Sequence, residues 1–299
     1  MKEIVVVSGK GGTGKTSVSA SFAALASDKV IADCDVDAAD LHLVLAPREL
    51  RREPFVGGLR ARISEDACMR CGRCEESCRF DAIEVPASGG ADAYSVDPFA
   101  CEGCGVCELV CPAGAVVMEE VQSGELFVSE SRLGPFVHAK LGIAEENSGK
   151  LVTTVRKEAR KVADEGGLDT ILVDGSPGIG CPVIASLTGA SLAVVVTEPT
   201  LSGLHDLKRV CEVAETLRTR AAVCVNKWDL NPDVADAIGE WCDGKGLPML
   251  GRVPYDSSVT DAQVEGVSVV EHSEGPAATA IRSIWDAVVG ILNGDTEAA

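Results

Sequence analysis

The chain is poor in aromatic residues and in positive charge, and both shortages narrow what it can be. Phe, Tyr and Trp make up 4% of the 299 residues, whereas Val and Ala are abundant. A core of small aliphatics suits a parallel sheet covered by helices on both faces, where strands read as continuous apolar runs. Lys and Arg number 27 against 46 Asp and Glu, a formal net charge of −19. Phosphate backbones would be repelled over most of such a surface, which argues against nucleic acid as a partner and suits an acidic electron carrier better. No apolar run approaches the roughly 20 residues that a membrane-spanning helix needs. A signal-peptide pattern is missing too: Met1-Lys2-Glu3 leads straight into Ile4–Val7 with no small-residue cleavage site. The expectation is a soluble, cytoplasmic protein of one large or two ordinary domains. Disulfides would be reduced there, so the 13 cysteines point to metal or redox chemistry.

The first apolar run ends at Val7 and opens into Ser8-Gly9-Lys10-Gly11-Gly12-Thr13-Gly14-Lys15-Thr16-Ser17. From Gly9 to Thr16 this is Gly, four residues, then Gly-Lys-Thr, the phosphate-binding loop. Glycines let the backbone turn tightly enough to aim several N–H groups at one phosphate chain. Lys15 supplies a point charge to the terminal phosphates, the Thr16 hydroxyl can ligate Mg²⁺, and a helix over Ser17–Ala26 adds its positive end.

With Lys10 inside the loop, the stretch resembles the Walker A variant of the MinD/Mrp/nitrogenase iron protein family (SIMIBI-type P-loop ATPases). In that family the extra lysine reaches the nucleotide of the partner subunit, so the resemblance implies a dimer sandwiching two nucleotides. It also implies roles downstream. Val30-Ile31-Ala32-Asp33 is a strand ending near the Mg²⁺ shell, and Asp35 is the switch I carboxylate that orients the attacking water. Thr170–Val173 leads to Asp174, which holds Mg²⁺ through water, and to Gly178, whose N–H senses the γ-phosphate. Ala221–Val225 leads to Asn226-Lys227-Trp228-Asp229, where Asn226 reads adenine; the same letters fit the guanine-reading Asn-Lys-x-Asp, so GTP stays open beside ATP. Met249–Arg252 and then Val253-Pro254-Tyr255-Asp256 resemble the last base-side loop. A solvated loop lysine at 10, and helix-capping or solvated aspartates between 33 and 40, are the plain alternatives.

Between Gly57 and Gly124 the chain changes character. Cys68-x₂-Cys71-x₂-Cys74-x₃-Cys78 recurs as Cys101-x₂-Cys104-x₂-Cys107-x₃-Cys111-Pro112, an offset of 33 residues. The repeat resembles bacterial two-cluster ferredoxins, in which the fourth cysteine of each run ligates the other [4Fe–4S] cluster. The resemblance implies Cys68, Cys71, Cys74 and Cys111 for one cluster, and Cys101, Cys104, Cys107 and Cys78 for the other. Zinc is the alternative, although zinc motifs usually present two separated pairs. Arg79 follows Cys78 where Pro112 follows Cys111, which bears on the turn and not on ligation. Short strands are expected at 59–63, 82–85, 93–96 and 115–118.

Cys34, Cys181, Cys211, Cys224 and Cys242 lack cluster spacing and read as buried small hydrophobes, with redox sensing or a bridging metal the alternative for Cys34 and Cys181 beside the two switches. His138 reads as structural. Asn147 or Ser148 offers a cap to a helix over 149–165, and residues 142–150 offer a partner surface. A final helix, 276–292, carries one apolar stripe without the basic face of a membrane anchor, and an acidic tail follows.

The whole chain thus resembles MinD-superfamily ATPases with an inserted ferredoxin domain. The implied fold is α/β, a mostly parallel P-loop NTPase sheet flanked by helices, formed by residues 1–56 and 125–299 and interrupted at 57–124 by an α+β ferredoxin-like domain. The implied cofactors are ATP, Mg²⁺ and two [4Fe–4S] clusters. The implied partners are a second copy or a related paralogue, and a redox protein. The expected activity is Mg-dependent ATP hydrolysis coupled to electron transfer. An Fe–S or metal carrier of the Mrp type, or a MinD/ParA-like positioning ATPase with redox-sensing clusters, are the other readings.

Overall fold

A computed structural model describes residues 1–36, 38–85, 94–142 and 148–294, and the side chain of Ser148 lies outside the description. The chain forms two units: Met1–Glu53 with Leu126–Lys140 and Ser148–Ala299, and Pro54–Glu125 with Leu141–Asn147. The strands in chain order are β1 (Lys2–Ser8), β2 (Lys29–Asp33), β3 (Arg48–Ile63), β4 (Ile83–Glu84), β5 (Ser95–Val96) and β6 (Val116–Ser131). They continue as β7 (Gly134–Leu141), β8 (Thr170–Pro177), β9 (Leu192–Thr197), β10 (Ala221–Asn226) and β11 (Met249–Val253).

The main sheet runs β11-β10-β9-β1-β8-β2-β7-β6-β3. From β11 to β7 neighbouring strands pair in parallel. Strand β1 explains its place. Ile4, Val5, Val6 and Val7 are all buried, so both faces of the strand need helical cover, which suits a central parallel position. β8 and β9 are consecutive in the chain yet flank β1 on opposite sides. That reversal of winding opens a crevice beyond the carboxyl end of β1, the place where α/β sheets bind ligands.

The helices of the first unit are α1 (Lys15–Leu25) and α2 (Leu41–Leu45), and later α5 (Ser148–Gly166), α6 (Cys181–Leu187), α7 (Leu201–Thr216), α8 (Pro232–Lys245), α9 (Ser258–Glu265), α10 (Val269–His272) and α11 (Pro276–Asn293). Its core joins Ile4, Val6, Phe22, Ile31, Leu172 and Val194 of the sheet and α1 to Ile281, Ile284, Val288 and Ile291 of α11. The apolar stripe read from the sequence comprises those four positions with Trp285 and Leu292, which pack partly buried against the same core. The second unit holds α3 (Arg73–Glu76), α4 (Val106–Val110) and an antiparallel β4–β5 pair around a small core of Ala61, Cys74, Ile83, Cys107 and Val116.

Two elements differ from expectation. Residues 59–63 belong to β3 and 116–118 of the expected 115–118 strand belong to β6, each 16 residues long and neither a short strand. Charge hides β3: Arg48-Glu49-Leu50-Arg51-Arg52-Glu53 reads as solvated loop, and only Phe55 and Ala61 of the strand are buried. An edge strand, with one side unpaired, tolerates that composition. Among the described residues no helix is long and apolar enough to cross a membrane. The capping residue expected at Asn147 or Ser148, most of the 142–150 surface, the start of the 93–96 strand and the acidic tail lie outside the described residues.

Candidate functional site

The loop Gly9–Gly14 leaves the carboxyl end of β1 and turns directly into α1. Gly14 sits at φ 89° at the helix N-cap, a left-handed conformation, and a Cβ there would collide with the Asn226 carboxamide. No side chain caps α1, so its first N–H groups remain for a ligand. Beside them lies a cavity of about 450 Å³ lined by Gly11, Gly12, Gly14, Lys15, Thr16 and Ser17 on one side. Asp35, Asp40, Asn226, Lys227, Pro254 and Tyr255 complete it.

Three carboxylates converge below the loop. Asp174, near the middle of β8, receives Lys15 Nζ at 2.8 Å, the Thr16 hydroxyl at 2.9 Å and the Ser19 hydroxyl at 2.7 Å. Lys15 is also 3.2 Å from Asp35 Oδ2. Asp33, paired across the ladder with Asp174, accepts the Asp35 N–H on Oδ1, while its Oδ2 is buried with no hydrogen-bond partner. Burial alone would pull the Lys15 ammonium down, but Asp174 and Asp35 outweigh it and hold it above its ordinary value. Burial, reinforced by Asp174, pushes the Asp33 carboxyl well above the usual carboxylate range. One ammonium among three carboxylates leaves two negative charges when all are ionised, which is what a divalent cation neutralises. The orphaned Asp33 oxygen and the unpartnered Thr13 hydroxyl are the atoms such a Mg-nucleotide would satisfy. The residues present fit the group.

On the base side, Asn226 ends β10 and donates to the Thr13 carbonyl at 2.7 Å, while Lys227 Nζ donates to the Gly12 carbonyl at 3.1 Å. Asp229 does not line the cavity; its carboxylate accepts the Tyr255 N–H at 2.6 Å.

Other expected site residues fall elsewhere. Lys10 points away from the cavity lining and contacts Glu198 at 2.5 Å. The Gly178 N–H donates to the Ser8 carbonyl at 2.8 Å and is not aimed into the cavity. Gly9 packs against Asp206 and is not part of the lining. Cys34, Cys211, Cys224 and Cys242 are buried as expected, but Cys181, the first residue of α6, is exposed even though Gly149 of α5 lies close against it. His138 is structural, its ring stacked between Phe127 and Phe136 at centroid distances of 4.9 and 4.5 Å. Sequence reading missed Ser19, Gln263 and Glu198. Ser19 stands one turn after Lys15 on α1 and was legible by helical spacing; Gln263, which donates to Ser17 at 3.1 Å, and Glu198 carried no local signal.

The second unit places its cysteines in two groups. Cys68, Cys71, Cys74 and Cys111 line one small cavity, walled by Ile63, Tyr94, Ala115 and Val116. Cys101, Cys104, Cys107 and Cys78 line another, walled by Ala61, Phe80, Ile83 and Met118. The fourth cysteine of each run thus crosses to the other group. Backbone donors face the crossing sulfurs: Ala115 N–H to Cys111 at 3.2 Å and Ala82 N–H to Cys78 at 3.4 Å. Burial raises Cys74 and Cys107; at Cys111 burial is outweighed by backbone N–H groups of residues 113–116, which hold the thiol below its ordinary value. Among the described residues no three cysteines are gathered around a position that a single metal ion could take. Four thiols around an apolar space instead fit a group with separate corners, as a four-iron cubane has.

A family model described as the CobQ/CobB/MinD/ParA nucleotide binding domain matches residues 4–269. The chain belongs to this family. Within the CobQ/CobB/MinD/ParA family, a similar protein is the uncharacterized protein MJ0578 of Methanocaldococcus jannaschii, 34% identical over 233 residues, 77% of this chain and 79% of that one. Among solved structures, the septum site-determining protein MinD of Pyrococcus horikoshii, complexed with Mg-ADP, aligns with a TM-score of 0.59 at 18% identity, covering 99% of each chain. At that identity the likeness establishes the fold, a MinD-like α/β P-loop architecture, which is the fold read from the sequence. A ferredoxin of Alicyclobacillus acidocaldarius is 45% identical over 47 residues, 16% of this chain and 55% of that protein.

Proposed function

We propose that this nucleotide-binding protein is a Mg-dependent ATPase that carries two [4Fe–4S] clusters and couples its nucleotide cycle to electron exchange with a partner protein. The observation that carries the reading is the crossed sorting of eight cysteines into two apolar cavities within a chain that also has a complete phosphate loop.

In this reading Lys15 would turn from Asp174 to the β- and γ-phosphates, and Thr16, Asp33 and Asp174 are the residues that would hold a Mg²⁺, which would supply charge neutralisation of the phosphates. Asp35 aligns the attacking water, and the loop N–H groups and the α1 N-terminus stabilise phosphate charge. Asn226 and Pro254 frame the base. Adenine is favoured over guanine because Asp229, the acid a guanine would need, does not line the cavity. When bound, the clusters supply one-electron transfer; the chain provides their thiolates and the N–H donors that tune them.

Anaerobically reconstituted protein is expected to hold about eight iron and eight sulfide per chain. Its ATPase rate is expected to differ between the oxidised and reduced forms. Material without stoichiometric iron, or an ATPase rate indifferent to reduction, would overturn the coupling. A carrier reading is favoured by one feature, the exposure of Cys71 and Cys104, one in each group. Transfer of iron and sulfide to an apo-acceptor at a rate set by ATP would establish that reading instead.

A further inference from the structure

Lys10 does not face its own nucleotide cavity. Its ammonium lies 2.5 Å from Glu198 Oε1 and donates to the Ser202 hydroxyl at 3.2 Å. The other oxygen of the same carboxylate is 3.7 Å from Lys227, which also holds the Gly12 carbonyl. Glu198 thus stands between two cations, Lys10 within the phosphate loop and Lys227 just past the end of β10.

The main chain that carries Glu198 is fixed. It follows β9 directly, its carbonyl accepts the Thr200 N–H at 2.8 Å, and Thr200 caps α7 by accepting from Gly203 N–H. The first turn of α7 presses so closely that any Cβ at Gly203 would strike the Glu198 carbonyl. Thr197 donates its hydroxyl to the Gly203 carbonyl at 3.1 Å and closes the corner. The main chain that carries the carboxylate is therefore fixed by the ladder end and the helix start, and Lys10 and Lys227 are what hold the carboxylate itself.

We infer that Glu198 is a latch that keeps Lys10 within its own protomer, and that docking with a second copy of this chain requires Lys10 to leave it for the phosphates of the copy's nucleotide. The inference rests on the dimeric ATPase reading, in which Lys10 acts across the interface. Glu198 is a positioning residue: it touches no nucleotide and acts through Lys10. The strength suits a switch. The side chains of Lys10 and Glu198 keep 31% and 19% of their exposure, so the pair is partly screened and a polyphosphate with higher charge displaces it. A symmetric dimer opens two latches, so the effect on the dimer constant is the square of the effect on one.

Glu198→Gln keeps the shape and removes the charge. With Mg²⁺ and a non-hydrolysable ATP analogue, sedimentation is expected to show E198Q dimerising at about tenfold lower protein concentration than the wild type, about threefold for each latch. Without nucleotide, amine labelling followed by mass spectrometry is expected to show Lys10 reacting about threefold faster in E198Q, a change that a merely structural residue would not produce. In a Lys10→Ala background the substitution is expected to do nothing. Should E198Q fold poorly, the same labelling of wild-type protein across a salt titration reads the latch, which must loosen as salt rises. Unchanged dimerisation and labelling in E198Q, with K10A unable to dimerise, overturns the latch alone. Wild-type dimerisation by K10A overturns the dimer reading beneath it.

Discussion

The Asn226 carboxamide donates to the Thr13 carbonyl over 2.7 Å, joining two residues 213 positions apart and locking the end of β10 to the phosphate loop. Asn226 also orients itself by accepting the Lys227 N–H at 3.0 Å. Removing it loosens the loop and the base wall together. Asn226→Ala is expected to weaken ATP binding about tenfold, one hydrogen bond to the loop and one at the base edge, by calorimetric titration. Unaltered affinity would separate β10 from the nucleotide site.

Asp174 collects one ammonium and two hydroxyls. In Asp174→Asn, Lys15 retains Asp35 but loses its closest counter-charge in a buried setting, so the variant is expected to lose about 3 kcal/mol of stability by denaturant melts. Mg-dependent hydrolysis is expected to fall at least about 100-fold. Full Mg-dependent activity in D174N would remove it from the metal site.

The crossed cysteine pattern predicts how single ligands fail. Cys78→Ser removes a wall from the Cys101, Cys104 and Cys107 group and leaves the other group intact, so about four irons are expected to remain. Cys111→Ser is expected to do the reverse. Iron analysis with electron paramagnetic resonance distinguishes the two residual clusters. Were each run to hold its own fourth ligand, the surviving signals would be exchanged between the two variants.

His138 sets a pH window for stability. Burial, with His42 adding repulsion, lowers its pKa from 6.5 to about 4 in the folded chain. Between those values the unfolded chain takes up a proton that the folded chain refuses. Stability is therefore full above pH 6.5 and declines as pH falls toward 4, by at most about 3 kcal/mol. His138→Phe keeps the stack between Phe127 and Phe136, and its acid melting curve is expected to lose that slope. An unchanged slope would place the titration elsewhere.

What the sequence disclosed is what short spacing can encode. The loop Gly9–Thr16 and the runs from Cys68 and Cys101 are local, since a handful of bonds fixes each turn, and the aliphatic strands announce themselves by composition. Asp33, Asp35 and Asp174 were legible because each follows an apolar strand. Glu198 was not, because its meaning depends on Lys10 and Lys227 arriving from segments that follow two other strands, β1 and β10. Cys181 misled because burial follows from what packs over a helix start, which composition does not state. β3 and β6 were hidden for another reason: edge and hairpin strands need no apolar run, only a neighbour offering a ladder.

Chain order has a consequence for synthesis. β1 emerges first but finds its ladders only in β8 and β9, with Lys2 opposite Thr170 and Ile4 opposite Leu192. All eight cysteines of the second unit leave the ribosome before then. The cavity around Cys78 has its full set of thiols once Cys107 is out, and the one around Cys68 waits for Cys111. The guest module can mature while the apolar Ile4–Val7 segment of its host is still unpaired, so nascent chains need shielding of that segment for as long as translation of the guest lasts.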